Sequence, residues 1–245
     1  MHSPAVSSWH TQSAPKNSQQ NWRRHLHEIV PLTGTPGEAY LTSRSISCDI
    51  AHQAGARYTS NWFGRPAVVF PIRDLCGQLV AAQGRYLEDS DKDGVAIHLC
   101  RILPQRIQLK TRTAGPKKLG VFATPGAVEA DVLVIVEAPI DALSLHLCGI
   151  PAIALCGKDG WPDWLRVVFG LCPVLIAFDA DQAGEAAARK LSQEFASLSA
   201  RVGRLRPEGA KDWNELLQKY RVETLQTALT QEVCSIVEEL TQRME

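Results

Sequence analysis

Along the chain the hydrophobic positions change their period twice. Between 21 and 54 they fall in short clusters broken by Pro, Gly, Ser and Thr, which predicts short helices. The first runs from Trp22 to about Ile29 with Asn21 as its cap, the second covers Glu38–Ser43, and the third is capped by Ser47 and ends at Gly55. Ala67-Val68-Val69-Phe70-Pro71-Ile72 then forms one apolar strand, Asp74-Leu75-Cys76-Gly77 a turn, and Leu79 to about Leu87 a return strand, so the segment predicts a β-hairpin. From 131 the pattern changes again. Val132-Leu133-Val134-Ile135-Val136, Ala152-Ile153-Ala154-Leu155 and Val174-Leu175-Ile176-Ala177-Phe178 are continuous apolar runs, and Arg201–Leu205 is a fourth strand candidate. Helical segments separate them at about 139–148, 161–170 and 182–199. Continuous apolar strands that alternate with helices predict βαβ units and a parallel sheet covered on both faces. The tail from Asp212 is helical, with Val222, Leu225, Leu229, Val233, Ile236 and Leu240 on one stripe. That stripe is under three heptads long and predicts core packing rather than a coiled coil.

The fold class is therefore α/β, with four segments: a disordered leader over 1–20, a smaller α+β subdomain over 21–128, the parallel-sheet domain over 129–210 and a helical segment over 211–245. The leader is mostly Ser, Gln, His, Pro and Ala, too poor in large apolar groups to offset the entropy of ordering. A chain of 245 residues, 45% hydrophobic and 21% charged, carries enough apolar surface for the cores that this division needs. No apolar run is long enough to cross a bilayer, and the N-terminus lacks a charged-then-apolar signal pattern, so a cytoplasmic protein without membrane contact is expected. The seven cysteines form no C-x-x-C, which excludes a zinc ribbon and suits reduced thiols.

Charge changes the picture locally. Lys plus Arg and Asp plus Glu are both 26, so the chain as a whole is no polycation. Yet residues 95–128 contain no acid and carry Arg101, Arg106, Lys110, Arg112, Lys117 and Lys118. Such a run is either a solvated loop face or a phosphate-facing surface. Acids gather where strands end. Glu137 closes one apolar run and Asp141 follows in the next helix; Asp179 closes another, with Asp181 and Gly184 behind it; Asp212 follows the last strand candidate. In open parallel sheets ligands bind beyond the carboxyl ends of the strands. If the two strands are neighbours, Glu137, Asp179 and Asp181 converge, and a divalent cation relieves their repulsion. Carboxylate oxygens without His or Cys suit Mg²⁺ or Mn²⁺. Asp179 and Asp181 also suit helix N-caps. Other motifs fail: Asp89–Gly94 starts like an EF-hand, but its twelfth position is Cys100, and Gly157-Lys158 lacks the upstream glycine of a P-loop.

Val136-Glu137-Ala138-Pro139-Ile140-Asp141-Ala142-Leu143-Ser144 resembles the first Toprim motif, and Phe178-Asp179-Ala180-Asp181-Gln182-Ala183-Gly184 resembles its Asp-x-Asp-x-x-Gly motif. Ala154-Leu155-Cys156-Gly157 is similar to the strand and turn between them, and Lys211-Asp212-Trp213-Asn214-Glu215 to the element that follows Toprim in primases. Upstream, Tyr40–Ser47, Gly64-Arg65-Pro66 through Asp74, and Gln83-Gly84-Arg85-Tyr86-Leu87 resemble the N-terminal part of the bacterial and phage primase core. Two positions depart: Ala138 replaces a usual glycine, and Asn214 stands where many relatives have a second Asp. A zinc-binding module and a helicase-type domain are not recognised.

The resemblance implies a Toprim-type parallel sheet flanked by helices, preceded by a smaller α+β primase-like N-terminal subdomain. It implies metal-dependent synthesis of short RNA primers on single-stranded DNA from ribonucleoside triphosphates, by a minimal mobile-element primase, a piece of one or a decayed relative. Glu137, Asp179 and Asp181 would be catalytic and hold Mg²⁺ or Mn²⁺, with Asp141 and Asp212 completing the metal set and no zinc. Arg85, Lys110, Arg112, Lys117, Lys118 and Lys211 would hold template or nucleotide phosphates. A replicative helicase is a candidate partner. A Toprim metal-dependent nuclease and a non-catalytic nucleic-acid-binding replication accessory protein are the alternatives.

Overall fold

A computed structural model describes residues 22–87, 109–157, 160–197 and 201–242. The predicted leader, the Asn21 cap, the acidic loop at 88–94, Arg101 and Arg106 lie outside them. A short 3₁₀ turn at Trp22–Leu26 stands where a longer helix was expected. Helices α1 (Pro36–Ser43) and α2 (Cys48–Gln53) follow as anticipated. Ser47 takes the cap position of α2 with extended backbone but makes no side-chain capping bond.

The first sheet is antiparallel, with strands in chain order: β1 (Arg57–Trp62), β2 (Arg65–Arg73), β3 (Leu79–Tyr86) and β4 (Thr111–Ala114). The expected hairpin is β2–β3, with Phe70 opposite Gln83. Its centre is buried on both faces, which is why β2 reads as a continuous apolar run rather than an alternation. Val68, Phe70, Ile72 and Ala81 enter the main core. Ala67, Val69, Ala82 and Tyr86 face the other way and form a small core with Trp22 and Trp62. Gly84 belongs to this second face: a Cβ there would stand 2.2 Å from Trp62 Cδ1, so the close approach of the indole demands glycine. The indole N–H of Trp62 donates to the Arg112 carbonyl at 2.9 Å and ties β1 to β4.

The second sheet has five strands in the order β5-β7-β6-β8-β9. These are β5 (Phe122–Ala123), β6 (Leu133–Val136), β7 (Ala152–Ala154), β8 (Val174–Ile176) and β9 (Val202–Arg204). The last four run parallel, as their apolar patterns predicted, and β5 pairs antiparallel with β7 at the edge. Helices α3 (Pro139–Leu147), α4 (Leu165–Phe169) and α5 (Gln182–Ala196) connect the parallel strands, α4 being shorter than expected. Helices α6 (Trp213–Lys219) and α7 (Val222–Gln242) close the chain. The apolar stripe of α7 packs as core: Leu225, Leu229 and Leu240 are buried, and Gly203 of β9 admits Ile236 where a Cβ would come within 2.6 Å.

The two sheets share one core. Phe70 of β2 meets Phe122 of β5 edge-on, with ring centroids 5.4 Å apart. Arg73 and Val121 exchange backbone hydrogen bonds at 2.8 and 2.9 Å. The N-terminal sheet is thus fixed against the edge of the parallel sheet next to β7. Among the described residues no helix is long and apolar enough to cross a membrane.

Candidate active site

Strands β6 and β8 are direct neighbours, with Ile135 opposite Ile176. The loops that follow them therefore open on the same edge, which satisfies the condition for convergence of the acids. Glu137 follows β6, and its carbonyl accepts the Gly157 N–H at 3.1 Å from the turn after β7. Asp141 sits in the first turn of α3, 6% exposed, and its Oδ1 accepts the Asn214 N–H at 3.3 Å. Burial, and then the negative charges of Asp179, Asp212 and Glu137, hold the Asp141 carboxyl well above the usual carboxylate range, while the Asn214 N–H pulls the other way. The chain thus brings Glu137, Asp179 and Asp212 within electrostatic reach of Asp141. Asp181 lies next along the Asp179 loop and caps α5, accepting the Gly184 N–H at 2.8 Å. Asp212 caps α6 and accepts the Glu215 N–H at 2.7 Å. Of the two residues expected as caps, Asp181 is the N-cap of α5 and Asp179 is not; Asp212 combines a cap, which uses one carboxylate oxygen, with a place beside Asp141.

The basic residues divide between two faces of the N-terminal sheet. Arg85 and Gln83 alternate with the outward Gly84 and so face the main core. Arg85 Nε donates to the Tyr40 hydroxyl at 3.0 Å, and Gln83 Nε2 donates to the Cys156 carbonyl at 2.9 Å. Lys117 Nζ donates to the same carbonyl at 3.3 Å, which places it at the turn beside Glu137. Lys118 is exposed, its Cε 3.2 Å from where a Cβ on Gly160 would stand. Lys211 Nζ is 3.6 Å from Asp181 Oδ2, within the acidic edge itself. Arg112 lies elsewhere. It pairs with Gly84, so it is on the outer face, with its guanidinium 3.7 Å from the Phe63 ring centroid. Lys110 is exposed, and its carbonyl accepts the Tyr86 N–H at 3.1 Å.

Among the described residues, no three His, Cys, Asp or Glu side chains form a cage for a metal ion by themselves. The donor set is carboxylate oxygen only, and Asp181 and Asp212 each give one oxygen to a backbone N–H. That chemistry fits a hard cation whose shell is completed by water and phosphate, as Mg²⁺ prefers.

A Toprim-like family model matches residues 134–217, from β6 through α6. The DNA primase of Thermotoga maritima is 28% identical over 176 residues, 69% of this chain, and that of Pseudomonas aeruginosa 26% identical over 187 residues, 74% of this chain. Residues 134–217 are thus similar to Toprim-like domains, and most of the chain is similar to part of bacterial DNA primases. It spans 29% of the T. maritima primase and 27% of the P. aeruginosa one. A domain of unknown function (DUF7146) matches residues 16–108. The RNA polymerase domain of Mycobacterium tuberculosis primase DnaG superposes with a TM-score of 0.60 at 20% identity, covering 80% of this chain and 77% of that one. A DnaG primase catalytic domain bound to ssDNA gives 0.58 at 18% identity, covering 86% and 80%. At these identities the likeness is one of fold, a Toprim sheet preceded by a smaller α+β unit.

Both departures from the Toprim primase pattern have local reasons. Ala138 has φ −123° and ψ 149°, extended backbone that any residue adopts, so the usual glycine is not required. Asn214 Nδ2 donates to the Arg44 carbonyl at 2.9 Å and to Ser144 Oγ at 3.1 Å, bonds that an ionised Asp has no hydrogen to make. Gly184 of the second motif is needed, because a Cβ there would sit 2.3 Å from the Asp179 carbonyl oxygen. Three supporting residues carry no role in the sequence reading: Gln83 and Trp213, which lie inside quoted motifs, and Arg204, a charge inside the strand candidate 201–205.

The raised Asp141 pKa sets an expected pH dependence. Below the ordinary Asp value of 3.8 this group is protonated in both states; as pH rises through its folded-state value, the folded protein must ionise a buried acid that the unfolded chain ionises freely. Its contribution to stability is therefore full at low pH and is lost as pH rises. In chelator, Asp141→Asn should remove that loss, so its thermal midpoint relative to wild type should climb between about pH 4 and pH 7. The carboxylates of Glu185 and Glu215, held low by their basic partners, act equally in both proteins and cancel in the difference. Parallel midpoint curves would exclude the assigned strain.

Proposed function

We propose that this protein is a DNA-templated primase that joins ribonucleotides by metal-dependent nucleotidyl transfer. The observation that carries the reading is the meeting of Glu137, Asp141, Asp179 and Asp212 at the carboxyl ends of β6 and β8. Glu137, Asp179 and Asp181 would hold Mg²⁺ or Mn²⁺, with Asp141 and Asp212 tuning the charge of the set. The bound cation supplies charge neutralisation at the transferring phosphoryl group. The protein's own part is placement and charge. Asp141, buried under the other acids, retains a proton more readily than a surface carboxyl and so lowers the repulsion in the cluster. Lys211 offsets Asp181, and Lys117, at the turn beside Glu137, suits a nucleotide phosphate. Arg85 and Lys118, with their charges near the seam of the two sheets, suit the template backbone. Lys110 and Arg112, with Arg112 on the outer face, suit template that lies beyond the seam. The primase domain solved with ssDNA supports single-stranded DNA as the template class.

The test is a length-resolved product assay with unlabelled single-stranded DNA, labelled ribonucleoside triphosphates and Mg²⁺. Short oligoribonucleotides that vanish with chelator are expected. Shortened DNA without new RNA would assign a nuclease instead, and binding without either product an accessory role.

A further inference from the structure

Several backbone groups of the loop that carries Asp179 and Asp181 are held by residues distant in sequence. The Ala177 carbonyl accepts the Trp213 indole N–H at 2.6 Å. The Ala180 N–H donates to the Lys211 carbonyl at 2.8 Å. Between them, one guanidinium does most of the work. Arg204 Nη2 donates to the Phe178 carbonyl at 2.8 Å, to the Asp179 carbonyl at 3.3 Å and to Glu185 Oε1 at 2.7 Å. Its Nη1 donates to the Ile176 carbonyl at 3.0 Å and to the Leu205 carbonyl. A single side chain thus links the end of β8, the first two carbonyls of the second acidic motif, and the first turn of α5.

Two features show that this is a built arrangement. The Arg204 side chain is 13% exposed, and a cation so placed needs a partner. Glu185 provides it, itself 22% exposed and held from the other side by Arg206 at 3.1 Å. Glu185 also lies in the first turn of the helix that Asp181 caps. The planar fork of arginine reaches several acceptors at once, which the point charge of lysine does not. A fixed positive charge behind Asp179 also opposes the mutual repulsion of the carboxylates.

We propose that Arg204, fixed by Glu185, is a positioning residue that sets the backbone of Phe178–Asp181, and with it the Asp179 and Asp181 carboxylates, before any cation binds. The link to metal rests on the function proposed above; the link to loop order does not.

The experiment compares wild type, Arg204→Lys and Glu185→Gln in two measurements. The first is amide hydrogen exchange of the metal-free proteins. Arg204→Lys keeps the charge and loses the fork, so exchange should quicken about tenfold or more at 178–184 while the β2–β3 hairpin stays protected. Glu185→Gln, which keeps a hydrogen-bond acceptor, should change the same amides in the same direction by less. The second is Mn²⁺ binding by electron paramagnetic resonance, where Arg204→Lys should raise the half-saturating concentration about tenfold, the usual scale for a group that supports a metal ligand. If Arg204→Lys leaves the loop amides unchanged, or loosens the whole sheet equally, the positioning role is overturned. Should Arg204→Lys not fold, Glu185→Gln decides by the same amides. Wild type that binds no Mn²⁺ would refute the metal reading and leave the exchange result to judge Arg204.

Discussion

Replacing Glu137 by Gln is expected to cut ribonucleotide joining by about a hundredfold or more while leaving the fold and DNA binding near wild type. Gln keeps the size of the side chain and one oxygen acceptor but removes a negative charge beside Asp141. The backbone at 137 stays in place, because it is the Glu137 carbonyl, not the side chain, that accepts the Gly157 N–H. Loss of one repelling charge should leave the metal-free protein at least as stable as wild type. Active-site charges commonly trade stability for function in this way. A large loss of joining with no loss of thermal midpoint marks an interaction that serves the transition state. A parallel loss of both would mean that Glu137 is a structural residue. If the variant joined ribonucleotides at the wild-type rate, the catalytic assignment would fail.

Trp213→Ala should have the largest effect on stability, about 3–5 kcal/mol, the range for emptying a large aromatic site. Trp213 is 2% exposed in the core that joins α6 to the sheet. Its indole N–H serves the Ala177 carbonyl, which follows directly on β8. Trp213→Phe isolates the second part: it keeps most of the ring volume but leaves that carbonyl without its donor, at about 1–3 kcal/mol. Urea unfolding curves of the three proteins measure both. Against a total of about 5–15 kcal/mol, the alanine variant approaches the limit of folding and the phenylalanine variant does not. If the two variants are equally stable, the hydrogen bond rather than the ring volume holds the site.

The legible parts of this fold are those where burial on both faces writes itself into the sequence. The parallel strands β6, β7 and β8 are continuous apolar runs because they are covered on both faces, by α3 on one and α5 on the other, and the β2–β3 hairpin announces itself by its turn. Strands β1 and β4 carry no such mark. Arg57-Tyr58-Thr59-Ser60-Asn61-Trp62 is polar, and it is interrupted by a register shift between Thr59 and Trp62. Its turn uses Phe63 at φ 53°, a conformation that costs a bulky residue energy and that sequence preferences argue against. Thr111–Ala114 is a short edge strand within the basic run. Missing β4 had a direct consequence for the site. From the sequence alone Arg85 and Arg112 belong to one basic group; once Arg112 pairs with Gly84, strand alternation puts the two on opposite faces.

The acidic residues were readable because strand ends in a parallel sheet share an edge, and the adjacency of β6 and β8 supplied what the sequence left open. The supports were not readable. Trp213, Gln83 and Arg204 act on backbone carbonyls 36, 73 and 25–28 residues away, and hydrogen bonds to the main chain leave no trace in residue spacing.

Template-dictated nucleotide choice tests the central claim most directly. The protein is incubated with Mg²⁺ and a single-stranded DNA of defined sequence, with one labelled ribonucleoside triphosphate at a time and then with all four. A templated primase incorporates only nucleotides complementary to the strand supplied, and the Asp179→Asn/Asp181→Asn double variant incorporates none. Incorporation indifferent to template sequence, or equal in the double variant, would contradict the account.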